Sequence, residues 1–198
     1  WIGDFGTSLY FRNDDGVFTN ITASTGTGLD GTEMGATVAD FDDDGRFDFY
    51  VTTIGTYNLY MNNGGHSFTN SADAAGVANS AWGWGTVAID ADHDGVLDLA
   101  ATTQSGRQWF FRGTGVVAGI PRFVDRTNLS GFVTEVSGRG LANADFDNDG
   151  DQDLVIFPRN GPLTVFRNEL DASESETNWL RVLLDNGGSE TITPNGIG

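Results

Sequence analysis

An acidic loop of nine residues occurs three times in this sequence, and it limits the possible folds more than any other feature. The copies span residues 40–48, 90–98 and 145–153, here called loops 1, 2 and 3. Each copy has Asp at loop positions 1, 3, 5 and 9 and Gly at position 6. Carboxylates this close in sequence repel one another unless a cation neutralises them, and Ca²⁺ takes about six to eight oxygen ligands from flexible loops. The pattern therefore predicts one calcium site in each loop.

The predicted ligands are the four Asp side chains of each loop and the backbone carbonyl at position 7. Gly at position 6 permits the positive φ that folds such a loop back around an ion. The carbonyls come from Arg46, Val96 and Asp151, and the carboxylates from Asp40, Asp42, Asp44, Asp48, Asp90, Asp92, Asp94, Asp98, Asp145, Asp147, Asp149 and Asp153. The alternative is a solvated acidic turn, and the repetition in one register argues against it.

The commonest calcium loop, the EF-hand, is excluded by the residues that follow. An EF-hand has a bidentate Glu at position 12 and helices on both sides. Position 12 is Val51, Ala101 or Ile156 here, and the flanking runs are rich in β-branched and aromatic residues. Such runs are typical of strands. Each loop is therefore predicted to join two strands.

The loops belong to a longer internal repeat. The first Asp of each loop stands at position 40, 90 or 145, which gives spacings of 50 and 55. A phenylalanine repeats at the same spacings, at Phe18, Phe68 and Phe123. The five extra residues of the longer interval are predicted to form a lengthened hairpin loop within residues 113–121.

Each repeat is predicted to contain four antiparallel strands. The predicted strands cover residues 35–40, 47–53, 58–62 and from 67 onward, then 85–90, 97–103, 108–112 and 122–126, then 140–145, 153–157 and 163–168. Four strands in about fifty residues is the size of a β-propeller blade. No segment shows a sustained 3.6-residue period, so little helix is expected. The predicted fold is all-β, with Asp-rich loops between the first two strands of each blade.

The blades are predicted to form a partial or open ring. We expect a half blade in residues 1–30, calcium blades in 31–80 and 81–135, and an incomplete calcium blade in 136–170. Residues 171–198 read as an acidic linker followed by a further strand. Either the chain is a piece of a longer polypeptide or copies of it complete one another, because open sheet edges invite pairing.

Composition limits the partners and the cellular location expected for this protein. The net charge of −18 argues against nucleic-acid and anionic-membrane partners, which favour basic surfaces. There is no Cys, and no apolar run reaches transmembrane length. Weak calcium loops suit the millimolar calcium outside cells. We expect a secreted or cell-surface protein, of a bacterial type.

The repeat resembles the FG-GAP/VCBS family, whose blades also form the propellers of integrin α-subunits. The loops carry the resemblance, together with the Gly-x-x-x-Ala-Asp lead-in at 35–40 and 140–145 and the Leu-Tyr-x-Asn hairpin at 59–62. The Asn-Trp-Leu at 178–180 and Gly-Ile-Gly at 196–198 are similar to the start of the ASPIC/UnbV domain found in cartilage acidic protein-like bacterial proteins. The resemblance implies an extracellular, calcium-stabilised propeller used for binding or cell adhesion rather than catalysis.

No catalytic constellation is evident from the sequence. The two histidines, His66 and His93, stand in predicted turns and are expected at the surface. Trp82 and Trp84 precede the first predicted strand of the second blade. They are candidates for stacking on sugar rings, aided by Tyr57 or Arg107; the alternative is that they wedge between blades.

The leading hypothesis is a non-enzymatic module that binds a protein or a glycan. Two alternatives remain open. One is a structural subunit of an extracellular fibre or surface assembly, in which copies of the chain complete one another's blades. The other is an accessory domain of a polysaccharide-acting enzyme.

Overall fold

The computed structural model describes Gly3, Gly6 and residues 8–28 and 31–170, and these residues form an all-β fold. The strands are β1 (Phe11–Asp14), β2 (Val17–Asn20), β3 (Glu33–Ala39), β4 (Asp48–Thr56), β5 (Asn58–Gly64), β6 (Ser67–Asn70), β7 (Ser80–Ile89), β8 (Asp98–Thr103), β9 (Trp109–Val117), β10 (Ile120–Asp125), β11 (Gly138–Ala144), β12 (Asp153–Pro158) and β13 (Thr164–Phe166). The helical content of the described part is one short helix, α1 (Ala72–Ala75), and a 3-10 turn at Thr22–Ser24. The predicted scarcity of helix is therefore confirmed for these residues.

The strands form successive antiparallel blades. Blade 1 is β3-β4-β5-β6 and blade 2 is β7-β8-β9-β10, each strand pairing with the next. Blade 3 contains β11-β12-β13, and β1-β2 form the half blade. The far end of β4 also pairs with the start of β7, which joins blades 1 and 2 into one curled sheet. Among the described strands none of blade 3 pairs with the half blade, so the ring is open, as predicted.

Apolar clusters fill the junctions between neighbouring blades. Tyr50 of blade 1 and Phe111 of blade 2 belong to the cluster at the first junction. Val87 of blade 2 and Ile156 of blade 3 belong to the cluster at the second. A third cluster lies where Tyr10 packs against blade 1. Each blade therefore buries its faces against its neighbours, as repeat architectures require.

The innermost strands β3, β7 and β11 lie against one another, and glycine permits this approach. A Cβ on Gly35 would collide with the backbone carbonyl of Trp84, and one on Gly85 would lie 2.5 Å from the backbone nitrogen of Leu141. Glycine at this point of the repeat therefore allows the innermost strands of neighbouring blades to approach closely.

Two threonines bridge neighbouring blades at the same height. The hydroxyl of Thr52 donates to the carbonyl of Trp84 at 2.5 Å, and that of Thr102 donates to the carbonyl of Arg139 at 3.4 Å. Trp84 and Arg139 lie in irregular parts of β7 and β11 where the pairing register shifts. The register shift turns a carbonyl toward the preceding blade, where a threonine can reach it.

Two sequence predictions about strand limits are wrong. The five extra residues do not lengthen a hairpin loop: β9 runs to Val117 and β10 begins at Ile120, so the insertion extends both strands. The turn needs only Ala118 and Gly119, both with positive φ, as in a two-residue hairpin. Trp82 and Trp84 do not precede their strand but lie within β7, because β4 provides a pairing partner for its first residues. The linker and strand predicted after residue 170 lie outside the described residues.

Candidate metal centres

Each acidic loop connects the first and second strands of a blade in the same conformation. The residue at position 4 has positive φ in all three loops, at Asp43, His93 and Asn148. The glycine at position 6 has φ of 85°, 83° and 103° in loops 1, 2 and 3. The positive φ predicted for this glycine is confirmed, and each loop turns back on itself.

Backbone amides hold the first carboxylate of the loop in place. In loop 1, the amide of Asp44 donates to Asp40 Oδ1 at 3.1 Å and that of Gly45 donates to Asp40 Oδ2 at 2.8 Å. Asp90 receives the equivalent two bonds in loop 2. Asp145 of loop 3 receives the bond from Gly150, at 3.1 Å. Side-chain bonds to nearby backbone amides are a common use of Asp in turns.

The Asp at position 9 ties the loop to the rest of its blade. Asp48, Asp98 and Asp153 are each 1% exposed. One oxygen of each accepts the amide of loop position 2, at 2.9–3.0 Å. The other oxygen accepts the backbone amide of Asn62, Gly113 or Asn168, at 2.7–2.8 Å. These residues follow the part of the third strand that pairs with the second strand. This residue therefore fixes the loop ends whether or not an ion is present.

Carboxylate oxygens converge in all three loops. In each loop, three Asp residues place one oxygen apiece within 4.8 Å of one another. The groups are Asp40, Asp42 and Asp48 in loop 1, Asp90, Asp92 and Asp94 in loop 2, and Asp145, Asp147 and Asp153 in loop 3. Positions 1 and 3 thus belong to every group, while the third member is position 5 or position 9.

The donor chemistry fits a hard divalent cation. Oδ1 of Asp42 and Oδ1 of Asp92 are buried, and neither accepts a hydrogen bond. A buried carboxylate oxygen without a partner is costly, and a bound cation would remove that cost. All side-chain donors in the three groups are oxygens, which suit Ca²⁺ or Mg²⁺ rather than softer metals.

Burial and mutual repulsion disfavour ionisation of several of these carboxyls without a cation. Burial raises the pKa of Asp48 to about 6 and that of Asp98 to about 7, against the hydrogen bonds that they accept. The pKa of Asp42 is raised first by burial and then by the charges of Asp44 and Asp40. Burial also raises the pKa of Asp147, with a further contribution from Asp149. A divalent ion would reverse these effects by favouring the charged form.

Three predicted side-chain ligands lie outside the oxygen groups. Asp44 and Asp149, at position 5, each accept the amide of position 7, at 2.9 and 3.0 Å. Asp98 keeps both oxygens on backbone amides. Metal coordination stays a prediction for all twelve side chains and for the carbonyls at position 7, and the oxygen groups support it for nine of the side chains.

One guanidinium faces the carboxylates of each loop. Arg112 lies 2.6 Å from Asp92 and 3.0 Å from Asp94, and Arg167 lies 3.3 Å from Asp147. In loop 1, Arg46 contacts Asp44 and donates to the carbonyl of Asn62 at 2.7 Å. Each of these contacts lies within a single blade.

The prediction that His93 lies at the surface is also wrong. Its side chain is 8% exposed, and Nε2 lies 3.8 Å from Oδ1 of Asp151 in loop 3. Asp151 also accepts the amide of Leu170 at 2.9 Å. The fourth position of loop 2 is covered by the adjacent loop, a contact between blades that a single-loop pattern cannot reveal. His66 does stand in a hairpin turn, hydrogen-bonded to Tyr10.

The two tryptophans stack on each other, with ring centroids 6.5 Å apart. Trp82 is 40% exposed. The guanidinium of Arg139 lies 3.6 Å from the ring centroid of Trp84. Tyr57 and Arg107, which the sequence suggested as further sugar-binding residues, do not join the two tryptophans. Tyr57 is fully buried, and Arg107 lies over Trp109 and pairs with Asp125. Sequence reasoning missed Arg139, which comes from the next blade.

Comparison with known families finds a match to part of the chain. The FG-GAP-like repeat matches residues 40–101, from the first Asp of loop 1 into β8 of blade 2. No curated protein matches the sequence. No helix in the described part of the chain is long and apolar enough to cross a membrane. Fold and loops together define a β-propeller-like module with Asp-rich loops. Over residues 40–101 the chain is similar to FG-GAP-like repeats, as the sequence motifs indicated.

Proposed function

We propose that this protein is a secreted, calcium-stabilised β-propeller module that binds a protein or a glycan and catalyses no reaction. The observation that carries the calcium assignment is the convergence of three carboxylate oxygens within 4.8 Å in every loop. Buried and unpartnered oxygens in loops 1 and 2 support it. The absence of Cys from the sequence is in keeping with calcium, rather than disulfides, as the stabilising device of an exported domain.

Calcium would act here as a structural ion. Each loop lies between the two inner strands of its blade, and its position-9 carboxylate already bonds both the loop and the third strand. In loops 1 and 3, where position 9 belongs to the oxygen group, an ion would therefore connect the loop to the first three strands of its blade. The ligands are brought together only in the folded chain, so ion binding would stabilise the folded state.

Thermal unfolding with and without a chelator tests this proposal. At free calcium one hundred times the Kd, each occupied site adds about 2.7 kcal/mol to the free energy of unfolding. For a chain of this size each kcal/mol shifts Tm by about 2–4 °C. Three sites of that strength predict that chelation lowers Tm by roughly 16–32 °C. Restoring calcium should restore Tm.

Loop variants locate the effect. D42N, D92N and D147N, each changing position 3 of one loop, should each remove about a third of the calcium-dependent shift. D73N alters an exposed carboxylate outside the loops and should leave the shift intact. Equal Tm values in chelator and in millimolar calcium would remove the calcium assignment while leaving the fold as described.

A structural assembly is the second candidate, and one observation favours it. Val17 and Phe18 of the half blade are 66% and 67% exposed. Because neighbouring residues of a strand point to opposite faces, β2 exposes an apolar side chain on each face of the half blade. Exposed apolar strands invite pairing with another chain. Size-exclusion chromatography over a hundredfold range of concentration separates the candidates: an assembly grows with concentration, and a monomeric module does not.

A further inference from the structure

A row of aromatic and cationic groups lies at the start of the innermost strands, on blades 2 and 3. Trp82 stacks on Trp84 with an interplanar angle of 16°, and Arg139 stacks on Trp84. Arg139 also donates to Oε1 of Gln104 at 2.8 Å, which fixes the guanidinium plane. The row is therefore ordered before any ligand arrives.

Arg159 stands beside this row. Gly138 is paired with Pro158, and the amide of Arg159 donates to the carbonyl of Ser137 at 2.8 Å. The backbone therefore places Arg139 and Arg159 each one residue after a member of the Gly138–Pro158 pair. Burial lowers the pKa of Arg139, and the positive charge of Arg159 lowers it further. We call Trp82, Trp84, Arg139 and Arg159 the Trp–Arg surface.

The two guanidiniums lack an anionic partner in the part of the chain that the structure describes. Five of the nine described arginines form ion pairs with carboxylates, and Arg139 and Arg159 are not among them. The chain has 28 acidic and 10 basic residues, so such a pair is a local reversal of its charge. Two adjacent positive charges without a counter-charge favour a bound anion.

The Trp–Arg surface is separate from the candidate calcium sites. Arg139 is near the start of β11 and loop 3 follows the end of that strand. Six residues of extended chain separate Arg139 from Asp145, which corresponds to about 20 Å. A ligand on the Trp–Arg surface would therefore be held by the arginines directly and not through a loop-bound ion.

We propose that the Trp–Arg surface binds the uronic acid residues of an acidic polysaccharide. The inference rests on the binding role proposed above and names its ligand class. The exposed ring of Trp82 provides an apolar plane for one face of a pyranose ring. Arg139 and Arg159 provide the charge-assisted donors that a carboxylate accepts. Uronic acid residues of one chain supply both an apolar ring face for Trp82 and carboxylates for the arginines.

Matched trisaccharides test the proposal. A β-1,4-linked glucuronic acid trisaccharide and cellotriose differ only in the three carboxylates, and a triglutamate peptide carries carboxylates without sugar rings. Binding to the full chain in millimolar calcium is followed by tryptophan fluorescence and titration calorimetry. We expect the glucuronate to bind at least tenfold more tightly than either of the other two. Binding of cellotriose or triglutamate as tight as that of the glucuronate, or no binding of the glucuronate, would overturn the proposal.

Variants assign the binding to these residues. R139Q, R159Q and W82A should each weaken glucuronate binding at least tenfold. R126Q is the matched control, because Arg126 is exposed, follows the outermost strand of blade 2 and forms no ion pair among the described residues. Arg159 and Trp82 are exposed, so R159Q and W82A should keep the calcium-dependent Tm. Unchanged affinity in both of these variants contradicts the uronate site, and a chelator-insensitive Tm contradicts the calcium assignment alone.

Discussion

Buried carboxylates dominate the chemistry of this chain at the level of single residues. Burial sets the pKa of Asp48 at about 6 and that of Asp98 at about 7 in the folded protein without an ion. The usual value for Asp is 3.8. Between these values the folded state binds more protons than the unfolded state, so stability falls as pH rises.

The calcium-free protein should therefore lose stability from about pH 4 to about pH 7. Urea unfolding in chelator at pH 4.5, 5.5, 6.5 and 7.5 measures this slope. D98N should flatten it by removing the group whose pKa is raised most, and D73N should not. A calcium-free protein that gains stability over this range would show that the buried Asp residues ionise more easily in the folded state.

A phenylalanine that recurs in the repeat shows how its position in the ring decides how much it contributes to the free energy of unfolding. Phe68 and Phe123 are 6% and 7% exposed, whereas Phe18, at the same point of the repeat, is 67% exposed. F68A and F123A should each cost about 3–5 kcal/mol, the usual loss for a buried Phe. F18A should stay within about 0.5 kcal/mol, as for other surface changes. Urea unfolding measures all three, and a large cost for F18A would reveal that another segment or another copy covers the half blade in solution.

At the level of strands, the contact between innermost strands depends on two glycines. A Cβ on Gly35 or Gly85 would meet backbone atoms of the next blade, which no side-chain movement can relieve. G35A and G85A should each destabilise the protein by at least about 1–3 kcal/mol, the range for overpacking. Gly140 has the same place in blade 3, but its added Cβ would meet the side chain of Phe157 at 3.3 Å. G140A should be close to neutral in the same unfolding assay, and equal losses for all three would contradict a role for crowding between blades.

The sequence predicted the strands well where a repeat signal was strong and less well where strands from different blades meet. The positions of the loops and the order of the strands follow from the spacing of Asp and Gly, because each repeat contacts mainly the repeats next to it in the sequence. The extension of β9 and β10 was missed, because an insertion in a hairpin can lengthen either its turn or its strands. The first residues of β7 were missed because their partner is β4 of another blade.

The same limit applies to the candidate sites. The loops were predictable because all their predicted ligands lie within nine residues. The approach of His93 to Asp151 and of Arg139 to Trp84 depends on how successive blades are rotated, and no local pattern encodes that rotation. Both contacts bring a charged or titratable side chain of one blade against its neighbour.

At the scale of the whole molecule, loops 2 and 3 are connected and loop 1 is separate. The side-chain amide of Asn168 donates to the carbonyl of Ala91 in loop 2 at 2.7 Å, while its backbone amide donates to Asp153 of loop 3 at 2.8 Å. His93 and Asp151 form a second contact between these loops. Among the described residues, no hydrogen bond or ion pair joins loop 1 to loop 2.

Calcium removal should therefore release loops 2 and 3 together and loop 1 independently. Loss of an ion from loop 3 would remove one contact of Asp153 while its bonds to the backbone amides remain. Asn168, which bonds both Asp153 and Ala91, would transmit the resulting shift to the backbone of loop 2, and this is a coupling free energy between the sites. Hydrogen exchange of the three loops during a calcium titration measures the midpoint for each. We expect shared midpoints for loops 2 and 3.

N168A should separate those two midpoints, because it removes the bond to Ala91 and keeps the backbone bond to Asp153. N62A is the matched control: the backbone amide of Asn62 bonds Asp48 in the same way, but its side chain reaches Phe47 within blade 1. Three unrelated midpoints in the unaltered protein would contradict the coupling. Coincident midpoints for loops 2 and 3 in N168A would assign it instead to the contact of His93 with Asp151, which H93A then tests by the same measurement.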